Sequence, residues 1–120
     1  MPILSDKGAA LLGSATIDMK TAATTTIYTT PVGKVTRITH VVVRDATASL
    51  AGGTSYSITN FRQTFSLAAL ITANTGYLVI QATDITQFTE IAAATAVQLT
   101  VTTGSTAAAN ATIDVFGYTT

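Results

Sequence analysis

Hydrophobic and polar residues alternate along much of this chain. In Val97-Gln98-Leu99-Thr100-Val101-Thr102 the alternation is strict and puts Val97, Leu99 and Val101 on one buried face of a strand. Ala111-Thr112-Ile113-Asp114-Val115-Phe116 repeats the pattern, with Ala111, Ile113 and Val115 inward and Asp114 outward. Ala15-Thr16-Ile17-Asp18-Met19-Lys20 does the same, with Ile17 and Met19 inward. Further strands are expected at Thr24–Thr29, Val35–Asp45, Ser55–Asn60, Tyr77–Ala82 and Thr86–Thr89. Within Val35–Asp45 apolar residues occupy both parities, Val41 and Val43 against Ile38 and Val42. That pattern means either a central strand covered on both faces or a bulge that changes which face is buried.

Turn signals separate these runs at Thr30-Pro31-Val32-Gly33, Ala51-Gly52-Gly53, Asn74-Thr75-Gly76 and Thr103-Gly104-Ser105. Pro31 fixes φ at the head of its turn and Gly33 supplies the positive φ that closes it. About eight short strands with turns every ten or so residues predict an all-β, single-domain antiparallel β-sandwich or barrel. Phe65–Ile71 and Glu90–Ala96 fit a short helix or an irregular loop. Met1–Leu12 shows no alternation, so residues 1–13 read as an N-terminal arm ahead of a sandwich domain at 14–120. Such an arm is either a terminus without fixed structure or a docking element that packs Ile3, Leu4, Leu11 and Leu12 on a neighbour.

Composition sharpens this picture. Thr occurs 26 times and Ala 20 times in 120 residues, and Thr prefers a pleated surface where its methyl packs and its hydroxyl faces water or a cross-strand neighbour. One core of this size is expected to bury about two-thirds of the surface of the unfolded chain. Six Lys and Arg balance six Asp and Glu, and charged residues make up only 10%. So few cations argue against nucleic acid as a partner, because phosphate binding needs several together. A neutral, charge-poor surface with mean hydropathy +0.46 favours association with other protein instead. The longest apolar runs, Ile38–Val43 and Ala68–Ala73, fall far short of the ~20 residues of a spanning helix, so no membrane partner is expected. Gly8–Gly13 is too short and too weakly apolar for a secretion signal, so the chain is expected to be made and kept in a cytoplasm until assembly.

The residues that carry chemistry are sparse. There is no Cys, which removes disulfides, thiolate nucleophiles and thiolate metal sites and says nothing about redox compartment. His40 is the single histidine and sits mid-strand, where packing or hydrogen bonding is its expected role. The acids are scattered; Asp18 with Asp114 is the one combination worth testing as a glycosidase-type pair, against the plainer reading of solvated strand acids paired with Lys20. Asp84 with Thr83, Thr86 and Glu90 offers at most a weak calcium loop. No nucleotide-binding or hydrolase motif occurs, so no enzymatic activity, cofactor or metal is expected. Four Tyr and four Phe are the only aromatics besides His40, and core packing is their default role; the absence of Trp weakens a carbohydrate-binding reading.

Ile17-Asp18-Met19-Lys20-Thr21, Thr24 to Lys34 with its Pro31-Val32-Gly33-Lys34 turn, Val41-Val42-Val43-Arg44 and the ending Ala111 to Tyr118 together resemble small virion proteins of tailed bacteriophages and prophages. The resemblance spans residues 15 to 120 and rests on strand-and-turn motifs: a Thr-rich strand, a Pro-x-Gly-Lys turn, a Val-rich strand and a last strand closing in Phe-Gly-Tyr. It implies a jelly-roll-like sandwich at the virion surface, commonly trimeric. The implied role is a capsid decoration (cement) protein docked on the major capsid protein and stabilising the shell. No catalytic residues transfer with the resemblance. The alternative is a receptor- or glycan-binding module of a head or tail fibre, for which Tyr56, Asn60 and Arg62 are the expected contacts.

Overall fold

The β-branched residues concentrated between the turn signals form strands, as their restricted χ1 favours. The structure is a computed structural model; it describes residues 10–59, 61–71, 76–81 and 90–120, with the side chains of 61–63, 81 and 90 left outside that description. Nine strands form among the described residues: β1 Ala10–Asp18, β2 Thr24–Thr29, β3 Thr36–Arg44, β4 Ser55–Ile58, β5 Phe61–Phe65, β6 Tyr77–Gln81, β7 Glu90–Ile91, β8 Ala96–Thr103 and β9 Asn110–Thr119.

They make two antiparallel sheets packed as a sandwich. One runs β1-β9-β3-β6, with the two-residue β7 pairing the start of β3 on the side away from β9; the other runs β2-β8-β4-β5. Four antiparallel pairs, β1·β9, β2·β8, β3·β6 and β4·β5, are the rungs of one long hairpin. Rolling that hairpin brings β9 beside β3 and β8 beside β4, so successive rungs fall alternately in the two sheets. This is the jelly roll, as expected. Neither sheet could bury its apolar face without the other.

The core is built from the alternating inward residues of both sheets. Ile17, Val41, Val43, Ile80, Ala111, Ile113 and Val115 face Tyr56, Ile58, Val97, Leu99 and Val101. Met19, just past β1, is also buried, and its N–H donates to the Ala109 carbonyl at 2.8 Å. The three strictly alternating segments therefore bury the residues their period assigns.

The double parity of β3 has its explanation in a bulge. Ile38 pairs with Gly117 and His40 with Phe116, leaving Thr39 unopposed. The inserted residue moves the buried set from Thr36 and Ile38 to Val41 and Val43. β3 is also central, with β9 along one side and β6 and β7 along the other. The Pro31–Gly33 turn forms as expected, with Gly33 at φ 75°, but it carries the chain from one sheet to the other rather than closing a hairpin.

Several expectations are corrected. β1 begins at Ala10, so Leu11, Leu12 and Gly13 belong to the sandwich and not to an arm ending at residue 13. The pairing of Leu11 and Gly13 with β9 overrides the missing alternation, which the bulge at Leu12 disguises in the sequence. At Phe65–Ile71 and Glu90–Ala96 the irregular reading holds and the helical one does not: Phe65 ends β5, Glu90–Ile91 are β7, and Ala94 takes φ 54° in the turn before β8. Seven residues are too few to repay helix nucleation without strong packing. β5 and β7 were not expected from the pattern. The strand expected at Thr86–Thr89 and most of the Asn74–Gly76 turn lie outside the described residues. No helix among the described residues is long and apolar enough to cross a membrane.

Candidate functional site

Pairing register fixes what the β1-β9-β3-β6 sheet shows to the outside. Residues directly opposite one another in antiparallel strands share a face. One row across the outer face is Leu11, Phe116 and His40; the next is Ser14, Asp114, Val42 and Val79; the third is Thr16, Thr112, Arg44 and Tyr77. Leu11 is 54% exposed, Tyr77 70% and Val79 41%. His40 and Phe116 stack with ring centroids 4.6 Å apart and planes within 7°. The histidine Nδ1 lies 3.0 Å from the Thr39 hydroxyl, so the ring serves packing and local hydrogen bonding. The result is a largely uncharged face with exposed apolar groups at both margins.

A charged cluster sits within these rows. Asp114 points away from the core, as alternation predicts, yet it is only 6% exposed because strands flank it on both sides. Arg44 Nε donates to its Oδ2 at 2.7 Å and the Ser14 hydroxyl to its Oδ1 at 2.6 Å. Burial pushes the Asp114 carboxyl up, but the hydrogen bonds from Arg44 and Ser14 and the Arg44 charge outweigh it and hold the carboxyl below its ordinary value. Arg44 also pairs with Asp45, which takes φ 54° just past the strand. The partner of Asp114 is thus Arg44, not Lys20.

Asp18 lies on the same face, four residues along from Ser14 in β1. At about 3.3 Å per residue it is roughly 13 Å along the strand from Asp114, beyond the spacing of a glycosidase pair. Its carboxylate accepts from the Lys20 and Thr21 N–H groups and the Thr21 hydroxyl, which hold it below its ordinary value and tie it to its own turn. A shallow depression beside it, lined by Thr47, Ala108, Ala109 and Asn110, adds no second charge. Among the described residues no three of His, Asp and Glu come together to hold a metal ion. Thr83, Asp84 and Thr86, and the Glu90 side chain, lie outside the described residues.

The expected docking residues divide. Leu11 is exposed on the outer face, whereas Leu12, the unopposed residue of the β1 bulge, packs against the core and is not free to dock. Ile3 and Leu4 lie outside the described residues. Of the expected glycan contacts, Tyr56 is buried, stacks on Phe65 at 5.9 Å and donates its hydroxyl to the Met19 carbonyl at 3.0 Å. Burial pushes that hydroxyl's pKa up. It is a core residue and cannot touch a sugar. Asn60 and the Arg62 side chain lie outside the described residues. Phe116, Tyr77 and Val79 were missed as surface groups. The alternation of β9 already set Phe116 opposite in phase to Val115, which was the available signal. No protein-family model, curated protein or solved structure matches this chain.

Proposed function

We propose that this chain is a virion structural protein, a capsid decoration (cement) protein that associates with copies of itself and docks on the major capsid shell to stabilise it. The observation that carries this reading is the outer face of the β1-β9-β3-β6 sheet, where Leu11, Tyr77 and Val79 stay exposed around the ion pair of Arg44 with Asp114. An exposed apolar sheet face on a charge-poor protein is the surface that another protein covers. The resemblance to small phage virion proteins supplies the particle. The jelly roll is compatible with this role but hosts lectin domains as well, so fold alone does not choose. The receptor- or glycan-binding alternative has lost Tyr56, its aromatic contact, to the core.

The test is co-sedimentation with undecorated phage capsids. The expected result is that the wild-type protein pellets with the shells, while Leu11→Asp keeps its sheet spectrum and stays in the supernatant. Wild-type protein that ignores the shells and binds one sugar class on a glycan array would overturn the reading in favour of the fibre module.

A further inference from the structure

The two sheets end in β1 and β6 and in β2 and β5. An edge strand presents a row of unpaired N–H and C=O groups, which folded proteins blunt with bulges, prolines or charges. β1 carries a bulge between Leu11 and Gly13, and β2 one between Thr26 and Tyr28. The β4–β5 register slips between Ser57 and Ile58. β6, Tyr77-Leu78-Val79-Ile80-Gln81, has none of these devices. Its register with β3 is unbroken over all five residues, and it holds no proline, glycine or charge. Tyr77 and Val79 stand exposed on the outer face while Ile80 is buried and Leu78 packs on the core. Among the described residues no strand pairs with its far edge.

We propose that the β6 edge is a self-association site that takes β6 of a second copy of this chain, antiparallel, about a two-fold axis through Val79. The open ladder calls for a strand, since only a strand offers a matching row of donors and acceptors. The sequence of β6 suits its own copy. Five uncharged residues meet themselves without like-charge repulsion. Centring the axis on Val79 sets Tyr77 against Gln81 of the partner subunit and Leu78 against Ile80 of the partner subunit. Val79 then meets its own copy on the outer face while Leu78 and Ile80 meet on the inner one, and the two apolar cores run on through the junction. Such an isologous contact uses each edge once and closes, where an open apolar edge would otherwise invite unlimited pairing. The outcome is a dimer, where the phage resemblance alone implies three copies. This inference does not rest on the particle reading: it concerns mass in free solution, and capsid binding is read separately.

Val79→Lys and Val79→Glu each place like charges face to face across the axis, at an exposed position that leaves the core untouched. Light scattering is expected to give two chains for the wild type and one for each variant alone. Mixing the two variants in equal amounts is expected to restore the two-chain mass, because Lys then faces Glu. Thr26→Lys, on the β2 edge, is expected to leave the dimer intact. A wild-type monomer, a Val79→Lys protein that keeps the wild-type mass, or variants that stay monomeric on mixing would overturn the proposal.

Discussion

At the scale of single residues, Asp114 decides most. Among the described residues it is the buried charge, and its hydrogen bonds to Arg44 and Ser14 tie three adjacent strands, β1, β9 and β3. Its carboxyl titrates below its ordinary value in the folded chain, so the unfolded chain binds more protons in that range. Its stabilising contribution is complete above the unfolded pKa near 4 and is lost as pH falls through the lower folded value. Asp18 titrates low as well and adds to the same acid window. Asp114→Asn is expected to cost about 2 kcal/mol at neutral pH, the worth of hydrogen bonds to a charged group. It is also expected to flatten the fall in stability below about pH 4. Urea melts of both proteins from pH 2 to 7 check it; parallel curves would contradict the assignment. That Asp114 faces outward is legible from the period of β9. That it is enclosed, and by Arg44 seventy residues away, is not, because nothing local specifies which strand becomes its neighbour.

At the scale of elements, the irregularities carry the information. A bulge breaks the two-residue period, so it appears in sequence as conflicting parity, as in β3, or as no pattern, as at the start of β1. The β3 bulge has a partner in β9: Thr39 donates its hydroxyl to the Phe116 carbonyl, and the β3 backbone comes down over Gly117. A Cβ at Gly117 would overlap the Arg37 carbonyl oxygen, a backbone atom that cannot step aside. Gly117→Ala is therefore expected to destabilise by about 1–3 kcal/mol, the usual range for overpacking. It should also disturb the His40–Phe116 stack beside the bulge. Thermal melts and the His40 ring proton shifts check both; an unchanged melting temperature would mean that β3 relaxes away from β9. The Phe-Gly-Tyr ending thus has a packing reason here, independent of any resemblance.

At the scale of the whole molecule, the first strand pairs with the last and β9 lies between β1 and β3. Ordering β1 therefore waits on the far end of the chain, a topology dominated by distant pairings and expected to fold in milliseconds to seconds. A chain ending at residue 109 lacks β9, leaves β1 without its partner and opens the core along Ile113 and Val115. It is expected to show no cooperative transition by circular dichroism; a cooperative melt would contradict this account of the core. The sequence by itself determined the all-β class, the inward sets of β1, β8 and β9, the Pro31–Gly33 turn and the shortage of charge. Those features follow from side-chain period, β-branching and backbone restriction, which act over a few residues. Only the tertiary structure decided that Tyr56 and Leu12 are core groups, that Asp114 belongs to Arg44, and that Leu11, Tyr77 and Val79 border one face. Those outcomes depend on which strands lie side by side, and strand order is set by how the long hairpin rolls up, not by any segment alone.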